Sequence, residues 1–228
     1  MHIEPGVVDG AKMFLSYATG VAAFGLLGKM AVDTIRKDGG IAALGLRSLI
    51  TSVLVFSFFE IFPHYPVGVS EVHFILGSTL YLMFGAGPAA IGLAAGLLLQ
   101  GALFAPFDLP QYGINVTTLI VPLWAMSMLA KKIIAPSTAY VDVKYWQALA
   151  LSTSYQGGVI LWVAFWAFYG QGFGAANLTA VSSFGVAYMA VVLIEPLVDL
   201  AILGAAKGLS SHSKSPTFFY KRLHKAAS

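Results

Sequence analysis

The sequence predicts an all-α integral membrane protein, a bundle of about seven transmembrane helices, and three observations lead to this fold class. Of its 228 residues, 58% are hydrophobic and only 10% are charged, whereas soluble domains carry roughly 25% charged residues. The hydrophobic residues are grouped into runs close to the ~20 residues that cross a bilayer as a helix. The alternating pattern of membrane β-barrels is absent, so helices are the spanning elements that remain.

Seven hydrophobic runs justify the individual helices in chain order. They cover residues 10–31, 40–62, 72–87, 88–105, 114–130, 146–169 and 179–205. The third and fourth runs are short and meet at Gly85-Ala86-Gly87-Pro88, which predicts a tight turn between them. Residues 1–206 are therefore interpreted as a single transmembrane domain.

Lysine and arginine are distributed unevenly between the two sides of this bundle. With an odd number of helices, one side holds Lys29, Arg36, Lys37, Arg47, Lys131, Lys132, Lys144, Lys207, Lys214, Lys221, Arg222 and Lys225, and the other holds Lys12. Because basic segments stay in the cytoplasm, we expect residues 1–9 outside and residues 207–228 as a basic cytoplasmic tail. The lysines and arginines lie at the ends of hydrophobic runs, which favours lipid headgroups over nucleic acid as their partner.

Nitrogen donors near the N-terminus could bind a metal. The chain has no cysteine, which excludes thiolate sites and disulfides. The amine of Met1, the peptide nitrogen of His2 and Nδ1 of His2 can close a five- and a six-membered ring on one ion. One further imidazole, from His64 or His73, would complete a planar set that suits Ni(II) or Cu(II), and Co(II) is also compatible. The alternative is that each histidine is an ordinary interfacial residue.

Catalytic sites are not predicted. The stretch GVAAFGLLGKM has the wrong spacing for a phosphate-binding loop. Glu195 and Asp199 place two carboxylates on one face of the seventh run, and intramembrane acids are functional candidates. The alternative is that they pair with Arg47 or cap a proline-kinked helix.

Three stretches of the sequence resemble one known family, in the same order. MHIEPGVVDG, PVGVSEVHFILG and GLLLQGALFAPFDLPQYGINVTTLIVPL resemble the CbiM/NikM family, the substrate-binding membrane subunits (S components) of nickel and cobalt energy-coupling-factor (ECF) transporters. The resemblance covers about residues 1–125, and residues 130–228 match mainly in hydropathy.

The resemblance implies a set of metal ligands. It implies that Met1 and His2 hold the ion together with His73, and His64 is the alternative fourth ligand. Residues expected to support these ligands are Ser70, Glu71 and Asn115.

The function that the resemblance implies is capture of Co²⁺ or Ni²⁺ outside the cell (inner) membrane, for import. Such a subunit is not an enzyme, carries no cofactor and depends on a transmembrane coupling (T) subunit, a pair of cytoplasmic ATPases and, in some members, a small accessory membrane subunit. Two alternatives stay open. One is a self-sufficient secondary transporter, which would show inverted repeats or broken helices, and the other is a membrane-embedded enzyme or assembly protein.

Overall fold

The helical bundle expected from the sequence is present in the computed structural model, which describes residues 3–136 and 138–209. The described residues form seven α-helices: α1 (Met13–Lys37), α2 (Gly40–Glu60), α3 (Gly77–Phe84), α4 (Ala86–Leu103), α5 (Tyr112–Ile133), α6 (Tyr145–Gln171) and α7 (Ala175–Leu209). An antiparallel hairpin of β1 (Tyr65–Val67) and β2 (Ser70–Val72) lies between α2 and α3. Short 3-10 helices cover Gly10–Lys12, Pro106–Gln111 and Tyr140–Asp142.

Six helices of the described chain are long and apolar enough to cross a membrane, and α3 is the exception. Large apolar side chains such as Phe14, Val21 and Leu161 stand exposed on the outside of the bundle. Such a surface suits lipid tails, and a water-soluble protein rarely exposes so much apolar area. The predicted fold class, an all-α membrane bundle, is confirmed.

The third predicted run, residues 72–87, has a different form from the expected spanning helix. β2 ends at Val72, residues 73–76 have no regular secondary structure, and α3 begins only at Gly77. The turn is where the sequence predicted it, because Gly85, with φ 91°, ends α3 and α4 starts at Ala86. Eight helical residues are only about 12 Å long, less than half of the ~30 Å hydrocarbon layer. Hydropathy alone does not distinguish a short buried helix from an extended segment, which explains the error.

Several other helices extend past their predicted ends. α1 continues to Lys37, and α7 continues through Lys207 to Leu209. Lysine and arginine favour helices and can extend their charged ends toward the headgroups, so a helix need not stop where its apolar run stops. The rest of the predicted basic tail lies outside the described residues.

Small residues allow α2 and α4 to approach closely. A Cβ on Gly92 would lie 2.4 Å from Thr51, and one on Gly96 would lie 2.6 Å from Val55. The Thr51 hydroxyl also donates to the carbonyl of Pro88 at 2.7 Å. In lipid, packing of small residues and hydrogen bonds between helices hold a bundle together.

Candidate functional site

The first described residues pair with the hairpin as a short additional strand. Ile3 forms an antiparallel bridge with Ser70, and the backbone nitrogen of Glu4 donates to the Val69 carbonyl at 3.2 Å. Ile3 is only 1% exposed. β2 is therefore paired with β1 on one edge and with the N-terminal segment on the other.

Ile3 is held a second time, by α5. Its backbone nitrogen donates to Oδ1 of Asn115 at 2.8 Å, in a buried contact. Asn115, one of the residues expected to support the site, is itself 1% exposed. The peptide bond joins Ile3 to His2, so this contact fixes the point from which the first two residues extend. Met1 and His2 lie outside the described residues.

The remainder of the N-terminal segment fits against the ends of α5 and α6. Gln111 donates from Nε2 to the carbonyl of Val8 at 3.2 Å, and Lys12 donates from Nζ to the carbonyl of Gly170 at 2.5 Å. A Cβ on Gly170 would lie 1.9 Å from the carbonyl oxygen of Val7. Glycine at this position is what allows the two backbones to touch.

His73 lies directly after β2, in the extended segment that leads to α3. It is 2% exposed, and its ring packs edge-on against Phe59 with 4.7 Å between ring centroids. Nδ1 lies 3.0 Å from the Phe74 carbonyl. A carbonyl can only accept, so Nδ1 carries the hydrogen and Nε2 is the nitrogen with the lone pair that a metal requires. The predicted third run, residues 72–87, would place His73 in the first turn of a helix, and this was wrong, since α3 starts four residues later.

His64 lies at the same end of the hairpin but is more exposed. Tyr65 pairs with Val72, so His64, directly before Tyr65, and His73, directly after Val72, both lie at the open end of the hairpin. The His64 side chain is 36% exposed, and its Nδ1 lies 3.8 Å from Oε1 of Glu71. Glu71, expected to support His73, therefore contacts His64.

Negative charge is concentrated around the hairpin. Burial raises the pKa of the Glu4 carboxyl, and the nearby Glu71 carboxylate raises it further. The charges of Glu4 and Glu71 also act on Asp108, which is buried in the 3-10 helix before α5. Such a concentration of one sign attracts divalent cations to this end of the bundle.

Side chains of the described residues do not by themselves form a metal site. Within residues 3–136 and 138–209, no group of three or more His, Asp or Glu side chains could hold a metal ion. A metal bound beside His73 would therefore need donors from the backbone or from residues outside those ranges. Met1 and His2, which directly precede Ile3, are outside those ranges and carry such donors.

Glu195 holds the extended segment inside the bundle. After His73 the chain continues among apolar side chains without forming a helix, so its N–H groups need partners from the protein. Glu195 of α7, which is fully buried, accepts from the backbone nitrogen of Ile75 at 3.4 Å and also from that of Leu76. Glu195 is recognisable in the sequence as an intramembrane acid, but these backbone partners are not.

Asp199 contacts the first turn of α3, directly after the segment that Glu195 holds. It accepts hydrogen bonds from the hydroxyl groups of Ser78 and Thr79, in the first turn of α3. The two structural alternatives do not describe these contacts, because Arg47 pairs with Asp38 at 2.5 Å and the groups that the two acids bind lie in α3 and in the segment before it. The interpretation of the two acids as functional candidates stays a prediction. The signal for this arrangement is the Gly-Ser-Thr stretch inside an apolar run, since small polar residues are typical of a helix start.

Comparison with known proteins gives one family and two similar structures. A family model described as "Cobalt uptake substrate-specific transmembrane region" (CbiM) matches residues 2–212. A solved structure described as a transition metal transporter is 16% identical, with a TM-score of 0.71, and the match covers 93% of this chain and 95% of that chain. A truncated transition metal transporter is 17% identical, with a TM-score of 0.66 and coverage of 92% and 98%. At these identities the structures show a shared fold, and no curated protein matches the sequence.

Proposed function

The chain belongs to the CbiM family of cobalt-uptake transmembrane proteins and is a multi-pass membrane component of metal transport, and on that basis we propose that it is the metal-capturing subunit (S component) of an ECF-type importer. It binds Co²⁺ or Ni²⁺ at the hairpin end of the bundle, through its own N-terminus. Energy for transport comes from partner subunits that hydrolyse ATP.

The fixed position of Ile3 is the observation that carries this proposal. The first residues of most domains are poorly ordered unless they are tied down. Here Ile3 is bridged to Ser70 and bonded to Asn115, and the segment behind it contacts Gly170. These contacts support a role for the first two residues that depends on their position.

The proposed ligands are four nitrogens. Three come from the amine of Met1 and from the peptide nitrogen and Nδ1 of His2, which form two fused chelate rings. The fourth is Nε2 of His73, because His73 is buried, directly follows β2 and has its hydrogen on Nδ1. His64 is the second candidate for the fourth ligand. All four donors must be deprotonated to bind, so affinity falls at acid pH.

The proposed partners follow from the same assignment. They are a transmembrane coupling (T) subunit, a pair of cytoplasmic ATPases and, if this chain is like some members of the family, a small accessory membrane subunit. The distribution of Lys and Arg favours a site that faces the exterior of the cell membrane, where the ion is captured. Reorientation of the loaded bundle by the partners would then carry the ion inward.

Blocking the N-terminal amine tests this function. A short tag without histidine, added before Met1, converts the Met1 amine into a peptide nitrogen and removes one of the three N-terminal donors, so we expect Ni(II) and Co(II) binding to fall below detection in calorimetric titration. The same tag placed after Ser228 is the matched control and should leave affinity unchanged. If the variant with the tag before Met1 binds either ion as tightly as the native chain, the N-terminus is not a ligand.

A secondary transporter is the second candidate, because one observation favours it. Such transporters contain discontinuous helices whose ends face the substrate, and the third run is discontinuous at residues 73–76. Here, however, the start of α3 is already occupied by side chains of Glu195 and Asp199. Metal uptake into vesicles that contain this chain alone, without ATP, would support this candidate. We expect no uptake.

A further inference from the structure

We propose that Glu195 is a positioning residue for metal binding, because its hydrogen bonds from two backbone N–H groups determine where His73 lies. Those groups belong to Ile75 and Leu76, two and three residues after His73. The proposal rests on the proposed function, since it takes His73 as a ligand. Glu195 does not touch the metal in this arrangement.

The backbone at Leu76 is held in an uncommon conformation. Its φ is 53°, and among the described residues it is the one non-glycine residue with a positive φ. Such a residue persists when its surroundings impose the conformation. The carboxyl group of Glu195, which accepts from Leu76 and from the residue before it, is the contact that imposes it.

The segment that contains His73 is held by α7 at both ends. At one end, a Cβ on Gly68 would lie 2.1 Å from the Ala180 carbonyl oxygen; at the other, Glu195 binds Ile75. Ala180 and Glu195 are about 22 Å apart along a helix axis, and an extended chain from Gly68 to Ile75 spans about 23–25 Å at most. The Glu195 side chain leans back toward Ala180 and shortens this span somewhat. The segment is therefore close to fully extended, so its attachment to Glu195 limits the positions that His73 can take.

The start of α3 is also held by α6. A Cβ on Gly77 would lie 2.4 Å from the ring of Tyr155 in α6. The first residue of α3 thus lies in van der Waals contact with an aromatic ring that is itself fully buried. Movement of the segment is restricted by α6 and α7 together.

Asp199 provides a matched control, because its partners differ in kind. The backbone N–H groups of Ile75 and Leu76 can only donate, so an amide at position 195 would bring its NH₂ group against another donor. The hydroxyl groups of Ser78 and Thr79 can donate or accept. They can therefore turn to accept from an amide at position 199.

The test compares Glu195→Gln with Asp199→Asn in the full chain with its native N-terminus. Calorimetric titration with Ni(II) and the visible absorption spectrum of the bound Ni(II) are measured for both variants. Disturbing the residues that orient a ligand costs about 10–100-fold in affinity, so E195Q should lose that much and show a shifted spectrum. D199N should keep the native spectrum and stay within about threefold of native affinity, as expected for a change remote from the ligand.

Several outcomes would overturn this inference. Native affinity and spectrum in E195Q would do so, and so would an equal loss in D199N, which would indicate general loosening of the bundle. If E195Q does not fold, Glu195→Asp keeps the acid but shortens its reach, and an unchanged Ni(II) spectrum in that variant would also overturn it. Failure of the native chain to bind Ni(II) or Co(II) would refute the proposed function instead. Binding that is lost when a tag is added before Met1 but kept in E195Q would refute only the role of Glu195.

Discussion

The N-terminal segment and the segment before α3 are both non-helical chain within a helical membrane protein, but their backbone groups are satisfied differently. At Ile3 the partners are neutral, namely the backbone of β2 and the amide of Asn115. At Ile75 and Leu76 the partner is an acid, Glu195, in the interior of the bundle.

This difference has a physical reason. The segment before α3 has no strand beside it in the described structure, and the two oxygens of one carboxyl group can accept from two neighbouring N–H groups. Near a cation site, by contrast, an extra carboxylate on α5 would add an oxygen donor that competes with nitrogen ligands. A neutral amide such as Asn115 holds the chain without offering that charge.

The largest expected effect comes from removing the acid in the interior. Glu195→Leu leaves the N–H groups of Ile75 and Leu76 buried without an acceptor, at about 1–3 kcal/mol each. We expect the free energy of unfolding to fall by about 2–6 kcal/mol, measured by thermal unfolding in detergent. Stability equal to that of the native protein would show that the acid is not needed to hold this segment.

The choice between the two histidines should give the next largest effect. His73→Ala removes one proposed nitrogen donor and should lower Ni(II) or Co(II) affinity by about 10–100-fold or more. His64→Ala should change affinity much less, because His64 is half-exposed and has Glu71 as a neighbour. Titration of both variants decides the matter, and a strong loss in H64A with none in H73A would move the fourth ligand to His64.

Replacing Asn115 tests the neutral contact at the N-terminal segment. Asn115→Ala leaves the Ile3 nitrogen without its acceptor, a loss of about 1–2 kcal/mol. Because that contact positions the first two residues, we expect a similar loss in metal-binding free energy, roughly tenfold in affinity. Asn115→Asp keeps an acceptor oxygen and should retain the position of Ile3, so a loss of affinity in that variant would report the added charge. Unchanged affinity in N115A would show that the hydrogen bond at Ile3 is not needed for metal binding.

The smallest effect is expected at the exposed edge of the same segment. Lys12→Met removes the hydrogen bond from Nζ to the Gly170 carbonyl but leaves the close backbone contact of Gly170 with Val7. Exposed interactions of this kind contribute about 0–1 kcal/mol. We expect metal affinity to change by less than about threefold, within that range. A larger loss would show that Lys12 is a main attachment of the segment.

Much of this molecule is predictable from hydropathy and short motifs. The long runs became helices because about 20 apolar residues leave few alternatives in lipid. His73 and Asn115 were placed near one site by resemblance, and the structure brings Asn115 to Ile3 and Ile3 to the strand that precedes His73. The roles of Met1 and His2 and the orientation of the termini stay predictions.

Other features could not be read from the sequence. The hairpin and the short α3 lie in a run whose apolar character suits a strand, an extended segment or a helix equally. The partners of Glu195 became visible only once α3 was known to begin at Gly77, because its acceptor role depends on backbone groups that carry no sequence signature. Arg47 was the more obvious partner by charge, but the nearby Asp38 occupies it.

The contacts of the N-terminal segment also set an order of assembly during synthesis. Ile3 meets Asn115, 112 residues later in the chain, and Lys12 meets Gly170, 158 residues later. At about 5–20 residues per second, a ribosome needs roughly 8–30 s to pass from Lys12 to Gly170. The end of α6 must therefore emerge before the segment that precedes α1 can close against it.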